Sequence, residues 1–218
     1  MKRRVARPGG EARVDGEAGA PGTRLVIVSG PSGVGKDTVI AALRRRSRGA
    51  TYHYVVTCTT RPARAYEVDG VHYRFLKPER FEALRAAGEL LEANEVHGHW
   101  YGTPRGDVRV ALRDGRDVIL KIDVQGAAVV KAAVPDALLV FLVPPSLEDL
   151  FARLRARATE SADELDVRQR NAALELARQE DYDHVVVNET GEVDRVAARI
   201  ESIIEAERAA HPRRRTRV

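Results

Sequence analysis

The strongest structural signal in this chain is the segment Gly30-Pro31-Ser32-Gly33-Val34-Gly35-Lys36-Asp37. It follows a short apolar run at residues 25–28 and precedes a helix-like stretch at 38–46. Glycines allow such a loop to curl until successive N–H groups point inward, and the helix that follows adds the positive end of its dipole. A lysine at the end of the loop reaches the β- and γ-phosphates of a nucleotide. The order of strand, glycine-rich turn and helix therefore predicts a phosphate-binding P-loop.

One position departs from the usual loop pattern. The serine or threonine that normally holds Mg²⁺ is replaced by Asp37, and the side chain of Thr38 is rotated away by one helical step. Carboxylate is a good Mg²⁺ ligand, which makes Asp37 the candidate metal ligand. The same carboxylate should repel a nearby phosphate by about 4 kcal/mol at roughly 4 Å and an effective dielectric constant near 20.

Composition limits the class of protein. At 218 residues and 44% apolar content the chain fits one domain with a real core. No apolar run approaches the roughly 20 residues that a membrane-spanning helix needs, and residues 1–23 lack the apolar segment of a secretory signal. A single cysteine, Cys58, allows no intrachain disulfide, so a cytoplasmic location is expected.

The two ends carry clustered arginines within a formal net charge of +4. Residues 1–23 are rich in Gly, Pro and Ala without periodicity, which predicts a disordered leader, and residues 209–218 form a basic tail. No aromatic side chains alternate with these arginines for base stacking, so we expect solvated ends and no nucleic-acid partner.

Short apolar runs alternate with helix-like segments along most of the chain, which predicts a parallel sheet with crossover helices. The further strands are expected at 117–122, 138–143 and 184–187, and the helices at 104–114, 124–133, 146–158, 162–179 and 192–209. Residues 52–102 break this rhythm with strands at 54–57, 73–75 and 90–96 around a helix at 78–87. They predict an inserted α+β lobe, and the arginine-dense stretch 151–180 predicts a second, helical attachment.

Polar residues in the lobe suggest a site for a nucleotide base and its phosphate. Arg61 and Arg64 lie three apart on a proline-bearing loop and present planar forks suited to a phosphate, to which Tyr73 could add a hydroxyl. Glu92, on a strand, could accept paired hydrogen bonds from the N1–H and N2–H₂ of guanine. Adenine lacks that donor pair.

The chain resembles guanylate kinases over roughly residues 24–208. The resemblance rests on the P-loop, the run Thr59-Thr60-Arg61-Pro62-Ala63-Arg64-Ala65-Tyr66-Glu67, Tyr101-Gly102-Thr103, Ile122-Asp123-Val124-Gln125-Gly126 and Pro144-Pro145-Ser146, in the family's order. It implies an α/β P-loop kinase with a three-layer fold, in which a parallel core sheet carries an inserted α+β GMP-binding lobe and a helical lid. The implied boundaries are 24–51, 103–150 and 181–208 for the core, 52–102 for the lobe and 151–180 for the lid.

The resemblance also implies the reaction ATP + GMP → ADP + GDP with Mg²⁺, leaving tolerance of dGMP open. It implies phosphate ligands at Arg61, Arg64, Tyr73 and Tyr101, guanine contacts at Thr57, Glu92 and Thr103, and further GMP contacts at Gly102 and Asp123. On the ATP side it implies residues 30–38 (Gly30, Pro31, Ser32, Gly33, Val34, Gly35, Lys36, Asp37, Thr38) and Asn188. Catalysis would rest on Lys36, Arg153, Arg157 and Arg168.

A second departure accompanies Asp37. Lys121 stands where guanylate kinases usually place an acid, before Ile122-Asp123. We hypothesise a charge exchange in which Asp37 takes over the metal while Lys121, at the end of a neighbouring strand, balances the added negative charge.

Two other functions compete with this interpretation. A ribose-phosphate kinase would share the P-loop opening, but a sugar phosphate offers no guanine edge to Glu92, Tyr101 and Thr103. A non-catalytic guanylate-kinase-like binding module is favoured only by Asp37, since Lys36 and the lid arginines are present.

Overall fold

The computed structural model describes residues 22–47, 52–96, 98–156 and 162–218, except the side chains of 156, 162–166 and 168. Within these ranges the strands are β1 (Leu25–Ser29), β2 (Tyr52–Tyr54), β3 (Cys58–Thr59), β4 (Arg74–Phe75), β5 (Leu90–Val96), β6 (His99–Pro104), β7 (Asp117–Lys121), β8 (Leu138–Val143) and β9 (His184–Val187). The helices are α1 (Lys36–Arg46), α2 (Pro78–Ala86), α3 (Arg105–Arg113), α4 (Val124–Ala133), α5 (Leu147–Ala156), α6 (Ala162–Leu176) and α7 (Val193–Ala210), with a 3₁₀ helix at Ala177–Asp181.

Five strands form a parallel core sheet in the order β2-β7-β1-β8-β9. Strand β1 is buried along its whole length, and its side chains alternate between two cores. Val26 and Val28 pack with α1, α5 and α7 on one face, while Leu25 and Ile27 pack with α3 and α4 on the other. This arrangement confirms the three-layer α/β fold and explains why β1 reads as a continuous apolar run.

A second sheet of four strands, ordered β4-β3-β6-β5, carries α2 on a small core of its own around Phe81. The strand predicted to begin the lobe differs from expectation in both its position and its sheet. The strand expected at 54–57 lies at Tyr52–Tyr54 and pairs with β7, so it belongs to the core sheet and not to the lobe. Strand β6 was not anticipated, because its sequence has little of the β-branched alternation that marks strands.

The C-terminal segment packs against the first residues that the structure describes, at 22–24. Thr23 and Thr216 are both buried, and the Thr216 N–H donates to the Thr23 carbonyl at 3.0 Å. The buried Arg24 guanidinium donates to the carbonyls of Arg208 and His211 at the end of α7. The predicted leader lies outside the described residues up to residue 21, whereas Gly22 and Thr23 pack with the C-terminal segment, so part of the tail predicted to be solvated packs on the core.

The remaining helices end within a few residues of their expected bounds, except that the expected helix 162–179 gives way to the 3₁₀ helix after Leu176. Across the described residues, no helix is both long and apolar enough to span a bilayer.

Candidate active site

The P-loop lies at the carboxyl end of β1, between β7 and β8, where parallel α/β sheets bind ligands. Asn188, at the end of β9, donates from its side-chain amide to the Val34 carbonyl at 2.7 Å. Gly35 has φ +100°, and a Cβ there would lie 2.6 Å from that amide nitrogen. Only glycine fits this position, so the loop owes its shape to glycine and to support from β9.

Lys36 is folded back onto its own loop. Its ammonium donates to the carbonyls of Gly30 at 2.6 Å and Pro31 at 3.1 Å. Burial lowers the pKa of Lys36, and the carboxylates of Glu175, Asp123 and Asp37 oppose that shift. The structure therefore places a cation in the loop with neighbouring acids that favour its charged form.

Glu175 makes a contact that the sequence did not predict. Its carboxylate, on α6, accepts a hydrogen bond from the Ser32 N–H at 2.9 Å. This N–H belongs to the row of loop donors that the sequence assigned to phosphate. A carboxylate from the lid side thus meets the loop where an anion is expected, and nothing in the helical pattern of α6 marks that one glutamate.

We expect Glu175→Gln to strengthen ATP binding. The wild-type carboxylate competes with phosphate for a loop donor, and losing its charge should lower the Kd about fivefold, or roughly 1 kcal/mol. Isothermal titration with ATP measures the change. The exposed Glu180, in the 3₁₀ helix, supplies the control Glu180→Gln. Weaker binding by Glu175→Gln would show that Glu175 shapes the loop instead of competing for it.

Asp37 and Lys121 are in contact, with Lys121 Nζ 2.5 Å from Asp37 Oδ1. The pairing follows from the sheet register, because Lys121 is the partner of Val28 just before the P-loop. Lys121 also donates to the Tyr73 hydroxyl at 3.2 Å. The contact between Asp37 and Lys121 that the charge-exchange hypothesis expects is therefore present, and Lys121 joins the pair to the lobe through Tyr73.

Glu92 lies in a buried slot, 4% exposed. Its Oε1 accepts from the Thr103 hydroxyl at 2.6 Å and its Oε2 from the Asn94 amide at 2.8 Å. A Cβ added to Gly126, in the first turn of α4, would lie 3.0 Å from Glu92 Oε2. The slot therefore sits against the carboxyl end of β7, at the same edge of the core sheet as the P-loop. Asn94 was not predicted as part of it.

Burial raises the pKa of Glu92 to about 7, with a smaller contribution from Asp123, while the hydrogen bonds from Thr103 and Asn94 act in the opposite direction. A carboxyl whose pKa is raised holds its proton as the pH falls through that value. A protonated Glu92 loses acceptor capacity for guanine.

We therefore expect GMP to bind less tightly as the pH falls below about 7, approaching tenfold per unit. Titration of GMP between pH 5.5 and 8.5 measures this. Glu92→Gln is the control, because its amide does not titrate whereas the GMP phosphate titrates equally in both proteins. Parallel pH profiles for the two proteins would exclude Glu92 as the titrating group.

Arg61 is fixed in the lobe by several partners. Its guanidinium donates to Glu67 at 2.9 Å and to the Tyr101 hydroxyl at 3.3 Å. Burial alone would raise the pKa of Glu67, but hydrogen bonds from Arg61 and from the Arg64 backbone lower it on balance. The Arg64 side chain is about half exposed, at 52%. The Arg61 side chain is thus held in place before any ligand binds, whereas the Arg64 side chain is exposed to solvent.

Three other predicted GMP contacts have clear local roles. Thr57 is buried directly before β3, and its carbonyl accepts from the Arg74 N–H at 2.8 Å. A Cβ on Gly102 would lie 3.0 Å from Phe81 Cζ, so packing of α2 already requires glycine there. Asp123 caps α4, its Oδ1 accepting from the N–H groups of Gln125 and Gly126.

The lid arginines are only partly described. Arg153, on α5, donates to the Val34 and Asn188 carbonyls at 3.3 and 3.0 Å and to the Thr190 hydroxyl at 2.8 Å. Arg157 lies outside the described residues, and Arg168 is described only by its backbone in α6. The structure therefore brings Arg153 to the P-loop backbone and does not place the other two guanidinium groups.

Fold and site together define a P-loop kinase of the nucleoside monophosphate type, and comparisons with known proteins refine this class. The family model "Guanylate kinase" matches residues 22–207. The chain is 42% identical to a guanylate kinase of Chelativorans sp. (87% of this chain, 86% of that protein) and 46% identical to one of Symbiobacterium thermophilum (85% and 86%). The crystal structure of guanylate kinase from Anaplasma phagocytophilum superposes with a TM-score of 0.70 at 32% identity, covering 86% of this chain and 87% of that one. The chain belongs to the guanylate kinase family.

Proposed function

We propose that this protein transfers the γ-phosphoryl group of ATP to GMP, giving ADP and GDP. One observation carries the proposal: Glu92 is held by Thr103 and Asn94 in a buried slot at the sheet edge that bears the P-loop. A carboxylate fixed there can accept from both N1–H and N2–H₂ of guanine. Family membership makes the protein an ATP:GMP phosphotransferase, and the slot supports guanine as the base that it selects.

The acceptor phosphate would bind where Arg61, Tyr73 and Tyr101 meet. The two tyrosine rings are 6.0 Å apart, and the Arg61 guanidinium lies 5.7 Å from the centroid of Tyr73. Arg64 can swing in from solvent. Thr57 and Thr103 would complete the base contacts. Gly102, which has no side chain, would leave room for the base, and Asp123 would orient α4 beside it.

The donor phosphates would lie in the P-loop, residues 30–38. Lys36 must leave the Gly30 and Pro31 carbonyls to reach the β- and γ-oxygens, exchanging neutral acceptors for charged ones. Asn188 supports the loop from below through Val34, so we propose that it affects ATP binding by positioning the backbone.

Mg²⁺ fits this site through Asp37. Among the described residues no three acidic, histidine or cysteine side chains cluster as a metal site. Mg²⁺ in phosphoryl-transfer sites is commonly held by one or two carboxylates together with substrate phosphates, so a single exposed carboxylate beside the P-loop is sufficient. Bound there, the ion would neutralise charge on the β- and γ-phosphates.

The chain's own residues supply positioning and positive charge, which is most of what phosphoryl transfer requires. The GMP phosphate is already an anionic nucleophile, so no general base is needed. We propose that Arg157 and Arg168 close over the transferring group and exclude water. Arg153 would have to break three hydrogen bonds before it could contact the transferring group. We therefore propose that it anchors α5 to the P-loop. A cytoplasmic location, with its pools of free nucleotides, belongs to the same proposal.

An assay of ADP release with alternative acceptors tests the proposed function. GMP, AMP, UMP and a ribose bisphosphate are each offered with ATP and Mg²⁺. We expect GMP to exceed the other acceptors in kcat/KM by at least about 10³, because a site built for a donor pair leaves buried acceptors unpaired with any other base. Preference for the ribose bisphosphate, or no turnover at all, would overturn the proposal.

A further inference from the structure

Lys121 occupies a junction that the proposed reaction leaves unexplained. It ends β7, with its ammonium 2.5 Å from Asp37 on the P-loop side and 3.2 Å from the Tyr73 hydroxyl on the lobe side. The same ammonium lies 4.4 Å from the centroid of the Tyr73 ring. Lys121 therefore touches one residue of the donor site and one of the acceptor site.

The ion pair with Asp37 is a weak structural reason for a lysine here. The Lys121 side chain is only 15% exposed, whereas Asp37 is 64% exposed, and ion pairs open to water add little stability. Burial alone would lower the pKa of Lys121, but Tyr73 and Asp37 raise it on balance. The protein thus keeps a largely buried lysine charged at the junction.

The ammonium also retains binding capacity. A lysine carries three N–H donors, and its two hydrogen bonds to Asp37 and Tyr73 use two of them. Arg61 lies against the same Tyr73 ring, 5.7 Å from its centroid. An anion bound to the Tyr73 hydroxyl would therefore lie beside the Lys121 ammonium, with the Arg61 guanidinium packed against the same ring.

We propose that Lys121 is a further ligand of the acceptor phosphate, held at the junction of the acceptor and donor sites by the Tyr73 hydroxyl. The inference rests on the proposed function and adds a cation to the arginine and tyrosine ligands proposed for the same phosphate. Two phosphates must approach each other for transfer, and they repel. A cation fixed between them before either binds reduces that repulsion without further reorganisation.

The test compares binding of GMP and guanosine, without ATP or metal, by isothermal titration. We expect Lys121→Met to weaken GMP binding about tenfold, which corresponds to roughly 1.4 kcal/mol, and to leave guanosine binding within about twofold. Lys121→Arg should retain most of the GMP affinity. Lys131→Met is the matched control, because Lys131, on α4, pairs with Asp183 just before β9, away from the proposed phosphate positions.

Asp37→Asn distinguishes two roles of Lys121, as a phosphate ligand or as a member of a structural ion pair. It removes a negative charge near the phosphate while Tyr73 still holds Lys121, so GMP should bind at least as tightly as in the wild type. The proposal fails if Lys121→Met, with its melting temperature unchanged, binds GMP normally. It fails also if Asp37→Asn weakens GMP binding as much as Lys121→Met does.

Failure of the proposed function would look different. Glu92→Gln should weaken binding of both GMP and guanosine, because it acts on the base. A wild-type protein that bound AMP as well as GMP would contradict the proposed function, whatever Lys121→Met did.

Discussion

Lys36→Ala should lower kcat by about 10³ and leave the KM for GMP within about twofold, a loss near 4 kcal/mol of transition-state stabilisation. Charge develops on the oxygens of the transferring phosphoryl group, and Lys36 is the P-loop cation that can follow it. Its ammonium hydrogen-bonds to the Gly30 and Pro31 carbonyls of the loop, so its removal breaks no ion pair among the described residues.

The steady-state rate of ADP release at saturating ATP and GMP measures the kcat of Lys36→Ala. The exposed Lys77, which precedes α2, provides the control Lys77→Ala, and unfolding curves for both variants exclude loss of structure. A decrease of less than tenfold in a folded Lys36→Ala protein would contradict the P-loop assignment, since no other cation of the loop could replace it.

Glu92→Ala should lower kcat/KM for GMP by about 10³ and bring GMP close to AMP as an acceptor. The reason lies in burial. The carboxylate is buried with Thr103 and Asn94, so in Glu92→Ala the donors of guanine, Thr103 and Asn94 all lose their buried acceptor. The same variant should also lose about 1–3 kcal/mol of unfolding free energy, because Thr103 and Asn94 lose their shared acceptor.

The comparison of kcat/KM for GMP and AMP measures this discrimination. Glu95→Ala is the matched control, since Glu95 lies on the same strand, β5, with its side chain exposed. Glu92→Gln keeps the shape of the slot and loses one acceptor, so it should fall between the wild type and Glu92→Ala. If Glu92→Ala retained its preference for GMP, another group would have to read the base.

Much of the fold could be predicted because its signals are local. The apolar run before Gly30 predicts β1, and the 3.6-residue periodicity gives α4 at its observed bounds. Strand β2 was misplaced for a non-local reason. Tyr52–Tyr54 is a strand only because β7 lies beside it, and a pattern within three residues carries no information about that neighbour.

The C-terminal segment shows the same limit at the end of the chain. Its arginines predicted a solvated tail, yet Thr216 is buried against Thr23 and Arg24 caps α7. Such contacts depend on where the first residues of the fold lie in space, which composition cannot express.

Residue types at fixed short spacings were enough to predict the phosphate loop and the kinase family and to single out Glu92 as the candidate guanine-binding acid. Tertiary structure alone decided what these residues touch: Glu175 on the Ser32 N–H, Asn188 under Val34, and Lys121 between Asp37 and Tyr73. Hydrogen bonds and charges act over a few ångströms, and only folding brings residues 84 and 48 positions apart within that distance.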